Sequence, residues 1–136
     1  YIGMHITGNV HSMHQVELRE NIMNSMLEYF ESKKKLLLSY GIKNWVIDPG
    51  FGFGKTVEEN FTIIKNLKEL KALGLPILIG VSRKSSLYKT LGIESKDALN
   101  ATTVANTVAL LNGANIIRVH DVKEASQIIQ LLKYLQ

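Results

Sequence analysis

The chain has 136 residues, a formal net charge of +4 and no cysteine. The lack of cysteine excludes disulfides, thiolate metal sites and a cysteine nucleophile, and no apolar run approaches the roughly 18 residues of a membrane span. A hydrophobic fraction of 46% is sufficient for a globular core. The chain begins without a methionine inside an apparent strand, which suggests a truncated or processed start.

Short apolar runs alternate with helical patterns along the chain, and a glycine-containing or polar turn follows each run. The strand candidates are residues 1–4, 45–47, 77–81 and 116–119. This alternation predicts βα units and a parallel sheet. About four units are present, whereas a complete (β/α)8 barrel needs eight and typically ~250 residues. The chain is therefore either a small open α/β sheet or half of a barrel.

Four helices are predicted between and after these strands. The first runs from about residue 16 to residue 40 and is closed by Gly41. It contains three consecutive lysines, residues 33–35, which we interpret as a solvated face. Nucleic-acid binding is not expected there, because no aromatic residues interleave with the lysines. The third helix covers residues 98–112, where small residues would allow close packing against a sheet.

The second and fourth helices each begin with the spacing of a capping box. Thr56 and Glu59 precede the second helix, and Asp121 and Glu124 precede the fourth. The apolar face predicted for the second helix comprises Phe61, Ile64, Leu67 and Leu70, broadened by Ile63 and Leu73. The apolar face predicted for the fourth comprises Ala125, Ile128, Ile129, Leu132 and Leu135. Gly74 is expected to end the second helix.

The chemically informative side chains fall directly after predicted strands. His5 follows the first strand, Asp48 the second and Lys84 the third, while Arg118 and His120 close the fourth. Ligands of parallel α/β proteins bind at the carboxyl ends of strands, so these residues should form one polar site at that end of the sheet. Arg118 and His120 project to the same side of a strand and suit a phosphate or pyrophosphate. A salt bridge of Arg118 inside a barrel is a comparable alternative.

The loop of residues 48–56 carries the densest pattern. Three glycines within five residues permit unusual backbone geometry and the close approach of a planar ligand. Phe51 and Phe53 interrupt the glycines, as expected for packing or stacking. The Gly-Lys-Thr ending does not make a P-loop, because Pro49 occupies the position that needs glycine. We favour ligand binding by Asp48 over a structural cap in a flexible connection.

Two weaker features remain open. A helix that begins within residues 82–85 would direct backbone N–H groups, a lysine and a serine at a bound anion, although such tetrapeptides are common on surfaces. His5, His11 and His14 invite a metal interpretation. Three histidines without an obvious carboxylate partner are a weak zinc pattern, and we favour structural roles for them.

Four segments, in order, resemble the motifs of the dihydropteroate synthase family. They are residues 48–55 (DPGFGFGK), 80–85 (GVSRKS), 101–105 (ATTVA) and 118–122 (RVHDV). Met4 and His5, with Gly8 and Met13, resemble the fifth-strand motif of the family. The following segment departs from the family pattern at Ile6, Thr7, Val10 and His14. The resemblance spans essentially the whole chain.

The resemblance implies an α/β fold in which residues 1–136 form the second half of a (β/α)8 TIM barrel, strands five to eight with their helices. It implies a cytoplasmic transferase of folate biosynthesis that is a target of sulfonamides. The reaction condenses 7,8-dihydropterin-6-ylmethyl diphosphate with p-aminobenzoate to 7,8-dihydropteroate and pyrophosphate, with Mg²⁺. The Mg²⁺-linked loop would lie in a first half that this chain lacks. A homodimer through the last helices is also implied, without nucleic-acid or membrane partners.

The site residues implied by the resemblance fall into three groups. The pterin would contact Met4, Asp48, Gly52 and Lys84; p-aminobenzoate would contact Phe53, Lys84 and Ser85; and the diphosphate would contact Arg118 and His120. Asp48, Lys84 and Arg118 would act electrostatically, with no covalent nucleophile and no metal ligand in this chain.

Two alternatives stay open at this point. A corrinoid-type methyltetrahydrofolate methyltransferase shares the pterin-holding Asp, but has no use for the Ser-Arg-Lys-Ser and Arg-Val-His segments. A non-catalytic α/β module that binds an anion would need only the strand-end cations.

Overall fold

The computed structural model describes residues 1–7 and 21–135. Within these ranges the elements are β1 (Ile2–Met4), α1 (Ile22–Ser39), β2 (Val46–Asp48), α2 (Val57–Asn66), β3 (Leu78–Ile79), α3 (Ser85–Tyr88), α4 (Leu99–Leu111), β4 (Ile116–Ile117) and α5 (Val122–Leu135). Two 3-10 helices cover Leu67–Leu73 and Ser95–Asp97. None of the helices in the described ranges is long and apolar enough to cross a membrane.

The strands are parallel and follow one another in sequence order. β1 pairs with β2 and β3 pairs with β4, while a parallel bridge between Ile47 and Ile77 joins the two pairs. The predicted parallel arrangement is confirmed, but the paired segments of β3 and β4 are shorter than predicted. The register between β3 and β4 begins at Leu78 opposite Ile116. Just before it, the Ile77 N–H donates to Asn115 Oδ1 (2.9 Å).

The core lies between the strands and the helices that follow them. Its fully buried large side chains include Phe51 of the loop after β2. Others come from α1, β2, α2, the first 3-10 helix and the third strand segment, among them Met26, Phe30, Ile47, Ile63, Leu67, Leu70, Ile77 and Ile79. The helices cover the face of the strands that forms the core. Polar side chains can therefore meet at the carboxyl ends of the strands.

Helix α1 is described from Ile22, where Asn21 Oδ1 accepts from the Asn24 N–H (3.1 Å) as an N-cap. The predicted start near residue 16 lies outside the described residues. The helix ends at Ser39, and Gly41 follows with a positive φ of 75°.

The lysine run on α1 is less solvated than predicted. Lys34 Nζ donates to the Leu73 carbonyl oxygen (2.8 Å), and Lys33 Nζ lies 5.6 Å from the centroid of the Tyr29 ring. Only Lys35 of the three is exposed. Of the three, Lys34 therefore links α1 to the first 3-10 helix, whereas the contact of Lys33 lies within α1.

The capping box before α2 is confirmed. The Glu59 N–H donates to Thr56 Oγ1 (3.0 Å), and the Thr56 N–H donates to Glu59 Oε2 (2.8 Å). The helix continues as a 3-10 helix after Asn66 and ends at Gly74, which has a left-handed φ of 68°. The prediction that Phe61 faces the core is wrong, since its side chain is 40% exposed.

The capping box predicted before α5 is not present. Both oxygens of the Asp121 carboxylate bind the Arg83 guanidinium, at 3.0 and 2.8 Å, instead of the backbone of the helix. The buried face of α5 consists of Ala125, Ile128 and Leu132, whereas Ile129 and Leu135 are exposed.

Candidate functional site

The carboxyl ends of β1 and β2 bring Met4 and Asp48 side by side, since the two residues are partners in the parallel register. The His5 N–H donates to the Asp48 carbonyl oxygen (2.9 Å), which extends the pairing by one residue. The Asp48 side chain is buried, and its Oδ1 accepts from the Gly50 N–H (2.7 Å). The carboxylate is therefore fixed at the end of β2 by the loop that follows it.

The glycine loop after β2 is tied to the end of β1 by a buried lysine. Lys55 Nζ donates to the carbonyl oxygens of His5 (3.1 Å), Gly50 (2.9 Å) and Phe53 (3.0 Å). Gly50 has a φ of 65°, and a Cβ at this position would collide with the His5 carbonyl oxygen. Lys55 is thus a structural residue, consistent with the absence of a P-loop pattern at this position.

Asn60 is a second organiser of this loop, and sequence analysis missed it. Its Oδ1 accepts from the Gly52 N–H (2.7 Å), and its Nδ2 donates to the Thr56 carbonyl oxygen (2.8 Å) and to Ser86 Oγ (3.0 Å). Asn60 is almost fully buried. It therefore joins the glycine loop to α3, the helix that begins at Ser85.

Lys84 and Phe53 form the next part of the site. Lys84 Nζ lies 4.0 Å from the centroid of the Phe53 ring, a cation–π distance. The Lys84 side chain also packs over Gly52. Its Cδ lies 3.2 Å from the position that a Cβ on residue 52 would take. Ser85 is exposed and begins α3 as predicted.

Arg118 and His120 lie on the side of the site formed by β4. The Arg118 N–H donates to the Ile79 carbonyl oxygen (2.9 Å), and Arg118 Nη2 lies 2.7 Å from where a Cβ on Gly80 would be. His120 contacts Ser82 Oγ through its backbone N (3.2 Å) and its Nδ1 (2.9 Å). Both Arg118 and His120 are exposed, and no ion pair of Arg118 occurs with a described residue.

The charges of these side chains influence one another. Burial raises the pKa of Asp48, while the Gly50 N–H and the cations Arg118, Lys55 and Lys84 oppose that rise. Burial, together with the positive charge of Arg118, lowers the pKa of Lys84, and Asp48 opposes the effect. The structure thus brings Met4, Asp48, Lys84 and Arg118 together at one end of the strands. This arrangement can bind a polar planar ring and an anion next to each other.

Arg83 is the strand-end cation that does not join this cluster. Its guanidinium turns towards Asp121 and the 3-10 helix at Ser95–Asp97. The tetrapeptide that looked like one anion site therefore divides, with Lys84 facing the cluster and Arg83 facing away from it.

Of the three histidines that invited a metal interpretation, the structure describes His5 alone. His5 is buried, with its ring centroid 5.0 Å from that of Tyr29 and 6.3 Å from that of Phe30. His11 and His14 lie outside the described residues. Within residues 1–7 and 21–135, no group of three or more His, Asp or Glu side chains is placed to bind a metal ion.

A separate apolar cavity of about 580 Å³ lies between α2, α4 and the segment after α3. Phe61, Leu91, Val104 and Val108 line it, and none of the strand-end residues does. The cavity is therefore not part of the polar cluster, and the exposure of Phe61 follows from its position there.

A profile described as "pterin binding enzyme" matches residues 1–120. The chain therefore belongs to the pterin-binding enzyme family. Within that family it is similar to the dihydropteroate synthase of Synechocystis sp., with 37% identity over 131 residues, 94% of this chain and 45% of the relative. The Escherichia coli K12 dihydropteroate synthase is 32% identical over 132 residues, 96% of this chain and 47% of the relative.

The solved structures agree with these relatives. A Yersinia pestis dihydropteroate synthase in a sulfonamide drug complex matches with a TM-score of 0.95 and 31% identity, covering 98% of this chain and 50% of that one. The Thermus thermophilus enzyme in complex with 6HMPPP matches with a TM-score of 0.92 and 29% identity, covering 98% and 54%. The resemblance to dihydropteroate synthases is confirmed, and this chain spans about half the length of the curated relatives it matches.

Proposed function

We propose that residues 1–136 provide the carboxyl-terminal half of a (β/α)8 barrel in a dihydropteroate synthase. Two facts support this. The four described strands are parallel and in sequence order, and the chain covers 45% and 47% of the two curated relatives named above. The strands would then be the fifth to eighth of the barrel, and residues outside this chain would supply the first four.

The cluster of Asp48, Lys84 and Arg118 at one end of the strands is the observation that carries the proposal. It has the charges that a pterin diphosphate requires, with a buried carboxylate beside two cations. A methyltransferase needs a pterin-binding carboxylate but no cations for a leaving pyrophosphate. The relatives named above are all dihydropteroate synthases, which also favours the synthase.

In the proposed reaction, Asp48 binds the pterin. Its carboxylate would accept hydrogen bonds from the N–H edge of the ring, and its negative charge favours an electron-poor ring as the C–O bond to the diphosphate breaks. Met4 and Gly52 would line the slot. The electron pair of that bond leaves with pyrophosphate, and Arg118 and His120 would stabilise the added negative charge with charged hydrogen bonds.

The second substrate, p-aminobenzoate, would bind on the opposite side of Lys84. Phe53 would pack against its ring, and the Ser85 hydroxyl at the start of α3 would receive its carboxylate. The amine nitrogen then forms the bond to the methylene carbon and loses a proton. This step needs no covalent nucleophile from the protein. The Thermus thermophilus structure in complex with 4-aminobenzoate, which matches with a TM-score of 0.90, supports this substrate class.

Several further features of the family are part of the proposal. Mg²⁺, which would neutralise charge on the diphosphate, has no ligand set among the described residues. We place its ligands in the half of the barrel outside this chain and assign no step here to the metal. We also propose a cytoplasmic homodimer and, from the sulfonamide complex of the Yersinia pestis relative, sulfonamide binding in the p-aminobenzoate pocket.

The test uses the intact polypeptide that contains this chain. Its mass is measured first and compared with the 15.2 kDa of these residues. Purified protein is then given the pterin diphosphate, p-aminobenzoate and Mg²⁺, and both dihydropteroate and pyrophosphate are quantified. We expect the two products in equal amounts. Methyl transfer from methyltetrahydrofolate, or pyrophosphate binding without turnover, would support one of the two alternatives instead.

A further inference from the structure

Arg83 has a backbone conformation that few arginines adopt. Its φ is 52°, and it is the one non-glycine residue with a positive φ among residues 1–7 and 21–135. The left-handed region is unfavourable for a residue with a long side chain, and such residues persist only where their surroundings hold them. The next two residues are Lys84 and Ser85, so this conformation sets the direction in which both leave β3.

Four hydrogen bonds hold the Arg83 side chain. Its Nε and Nη2 donate to the two carboxylate oxygens of Asp121 (3.0 and 2.8 Å), and its Nη1 donates to the carbonyl oxygens of Ser95 (2.9 Å) and Lys96 (2.7 Å). The Arg83 N–H donates to the hydroxyl of the buried Thr102 (3.0 Å). All three guanidinium nitrogens have a protein partner. We therefore assign Arg83 a structural role and no direct contact with substrate.

The Arg83–Asp121 pair lies beside the contact between Ser82 and His120. Two successive residues after β3 thus bind two successive residues after β4. The side chains of Arg83 and Asp121 are 22% and 19% exposed, so the pair is only partly open to water. A two-point bond between a guanidinium and a carboxylate also fixes direction, which a single hydrogen bond does not.

We propose that Arg83 is a positioning residue, which acts with Asp121 to hold Lys84 and Ser85 in the orientation that p-aminobenzoate requires. This inference rests on the function proposed above. The two residues proposed to bind pyrophosphate have contacts of their own. The Arg118 N–H donates to the Ile79 carbonyl oxygen, and His120 contacts Ser82 Oγ through its backbone N and its Nδ1. Loss of the Arg83–Asp121 pair should therefore impair p-aminobenzoate use and leave pyrophosphate binding nearly unchanged.

Two substitutions in the intact protein separate the side chain from the backbone. Arg83→Gly retains the left-handed conformation, which glycine adopts freely, but removes the guanidinium. Asp121→Asn keeps the shape of the partner and removes its charge. The matched control is Glu94→Gln, which removes a carboxylate charge from the neighbouring Glu94–Lys96 pair (2.8 Å), whose side chains are 72% and 74% exposed.

We call the Arg83–Asp121 pair the clamp. Arg83→Gly and Asp121→Asn, the two clamp variants, should each raise the KM for p-aminobenzoate and lower kcat. The overall loss in kcat/KM should be about tenfold to a hundredfold, which is the effect of misplaced catalytic groups. The double variant should lose no more than the worse single variant, because both substitutions break one interaction. The Kd for inorganic pyrophosphate should change less than about twofold. A change of this size is what the loss of an exposed charge causes, as opposed to the loss of a group that contacts the ligand. Glu94→Gln should behave as the wild type.

Three results would overturn the inference. They are wild-type kinetics in Arg83→Gly, multiplied losses in the double variant, and a uniform loss of every parameter in step with a lower Tm. A readout that needs no activity is deuterium exchange across residues 82–88, where the Lys84 N–H donates to the Val81 carbonyl and the Leu87 N–H to the Lys84 carbonyl. Exchange should be faster in both clamp variants and unchanged in the control. If the wild type lacks turnover, the proposed function fails, while the exchange data still decide whether the clamp orders this segment.

Discussion

At the scale of single residues, Lys84 is central because it contacts two proposed subsites. Its ammonium lies over the Phe53 ring, and its charge interacts with Asp48 and Arg118. Its pKa is lowered mainly by burial, so the folded chain binds a proton at Lys84 less readily than the unfolded chain does. This difference has a consequence for stability that can be measured.

Lys84→Met should stabilise the protein at neutral pH, and the stabilisation should shrink as the pH rises. Below the folded pKa, Lys84 is charged in both states and its burial costs free energy. Between the folded pKa and 10.5, only the unfolded state is charged, so wild-type stability rises with pH. Denaturant unfolding of both proteins across this window is the measurement. Lys84→Arg keeps its charge and should show no such recovery; a gap between Lys84→Met and wild type that is independent of pH would contradict the prediction.

Arg118→Ala and Ser85→Ala should separate the two substrates. Arg118→Ala should weaken binding of pyrophosphate and the pterin diphosphate by about 1.5–3 kcal/mol, the value of charged hydrogen bonds, or roughly 10- to 150-fold in Kd. Ser85→Ala should act mainly on the KM for p-aminobenzoate. Calorimetry and steady-state kinetics provide the two measurements, and Lys123→Ala on the exposed face of α5 controls for loss of a positive charge. Equal effects of both substitutions on both substrates would argue against separate subsites.

At the scale of elements, the glycine loop and α3 depend on Asn60. Asn60→Ala would leave the part-buried Gly52 N–H and the buried Ser86 Oγ without this partner. The cost is about 1–3 kcal/mol for the buried hydroxyl and less for the Gly52 N–H, which water can reach. We expect a lower free energy of unfolding and weaker pterin binding, because Gly52 lies under Lys84. Denaturant unfolding and pterin titration measure the two effects.

Asn112→Ala is the matched control for this substitution. Asn112 Nδ2 donates to the carbonyl oxygens of Ile64 (2.9 Å) and Lys65 (3.2 Å), away from the glycine loop. Its loss should lower stability without changing pterin binding. If Asn60→Ala bound the pterin as tightly as wild type, Asn60 would have no role in shaping the site.

Local signals in the sequence were sufficient for some elements and not for others. The Thr56–Glu59 box was predictable because both partners lie within one helical turn. The same spacing at Asp121 failed because Arg83, 38 residues earlier, binds that carboxylate. The contacts of Asn60 with Ser86 and of Lys55 with His5 also join distant segments, 26 and 50 residues apart, and no local pattern reports them.

The apolar residues that recur every three positions after residue 61 indicate a 3-10 helix in their second part, which the sequence analysis did not predict. Leu67, Leu70 and Leu73 are all fully buried because they lie on a 3-10 helix, where residues three apart are on one face. Phe61 has the same spacing but lies on the preceding α-helix, where each step of three residues rotates the side chain by about 60° around the axis. Its side chain therefore turns outwards into the apolar cavity.

At the scale of the whole molecule, the fold leaves its two outer strands incompletely covered. Ile2 on β1 is 54% exposed and Ile116 on β4 is 41% exposed. Parallel strands are normally buried on both faces, and unpaired edges favour association with other strands. The positions of Asp48, Lys84 and Arg118 after predicted strands were sufficient to predict that these side chains come together. No pattern in the sequence shows how the outer strands are covered.

The last prediction is that residues 1–136 alone do not catalyse dihydropteroate formation. Transition-state stabilisation by oriented charges needs the complete set of groups, so a partial site should lose most of the rate. The fragment should still bind pyrophosphate or a pterin weakly, because Asp48, Lys84 and Arg118 are all present in it. The measurement is expression of residues 1–136, near-UV circular dichroism around the buried Trp45 to confirm folding, and an assay of dihydropteroate with Mg²⁺. The intact polypeptide, assayed in parallel, is the positive control. Turnover by the folded fragment close to that of the intact polypeptide would mean that the catalytic centre lies wholly within this chain, and the half-barrel proposal would be wrong.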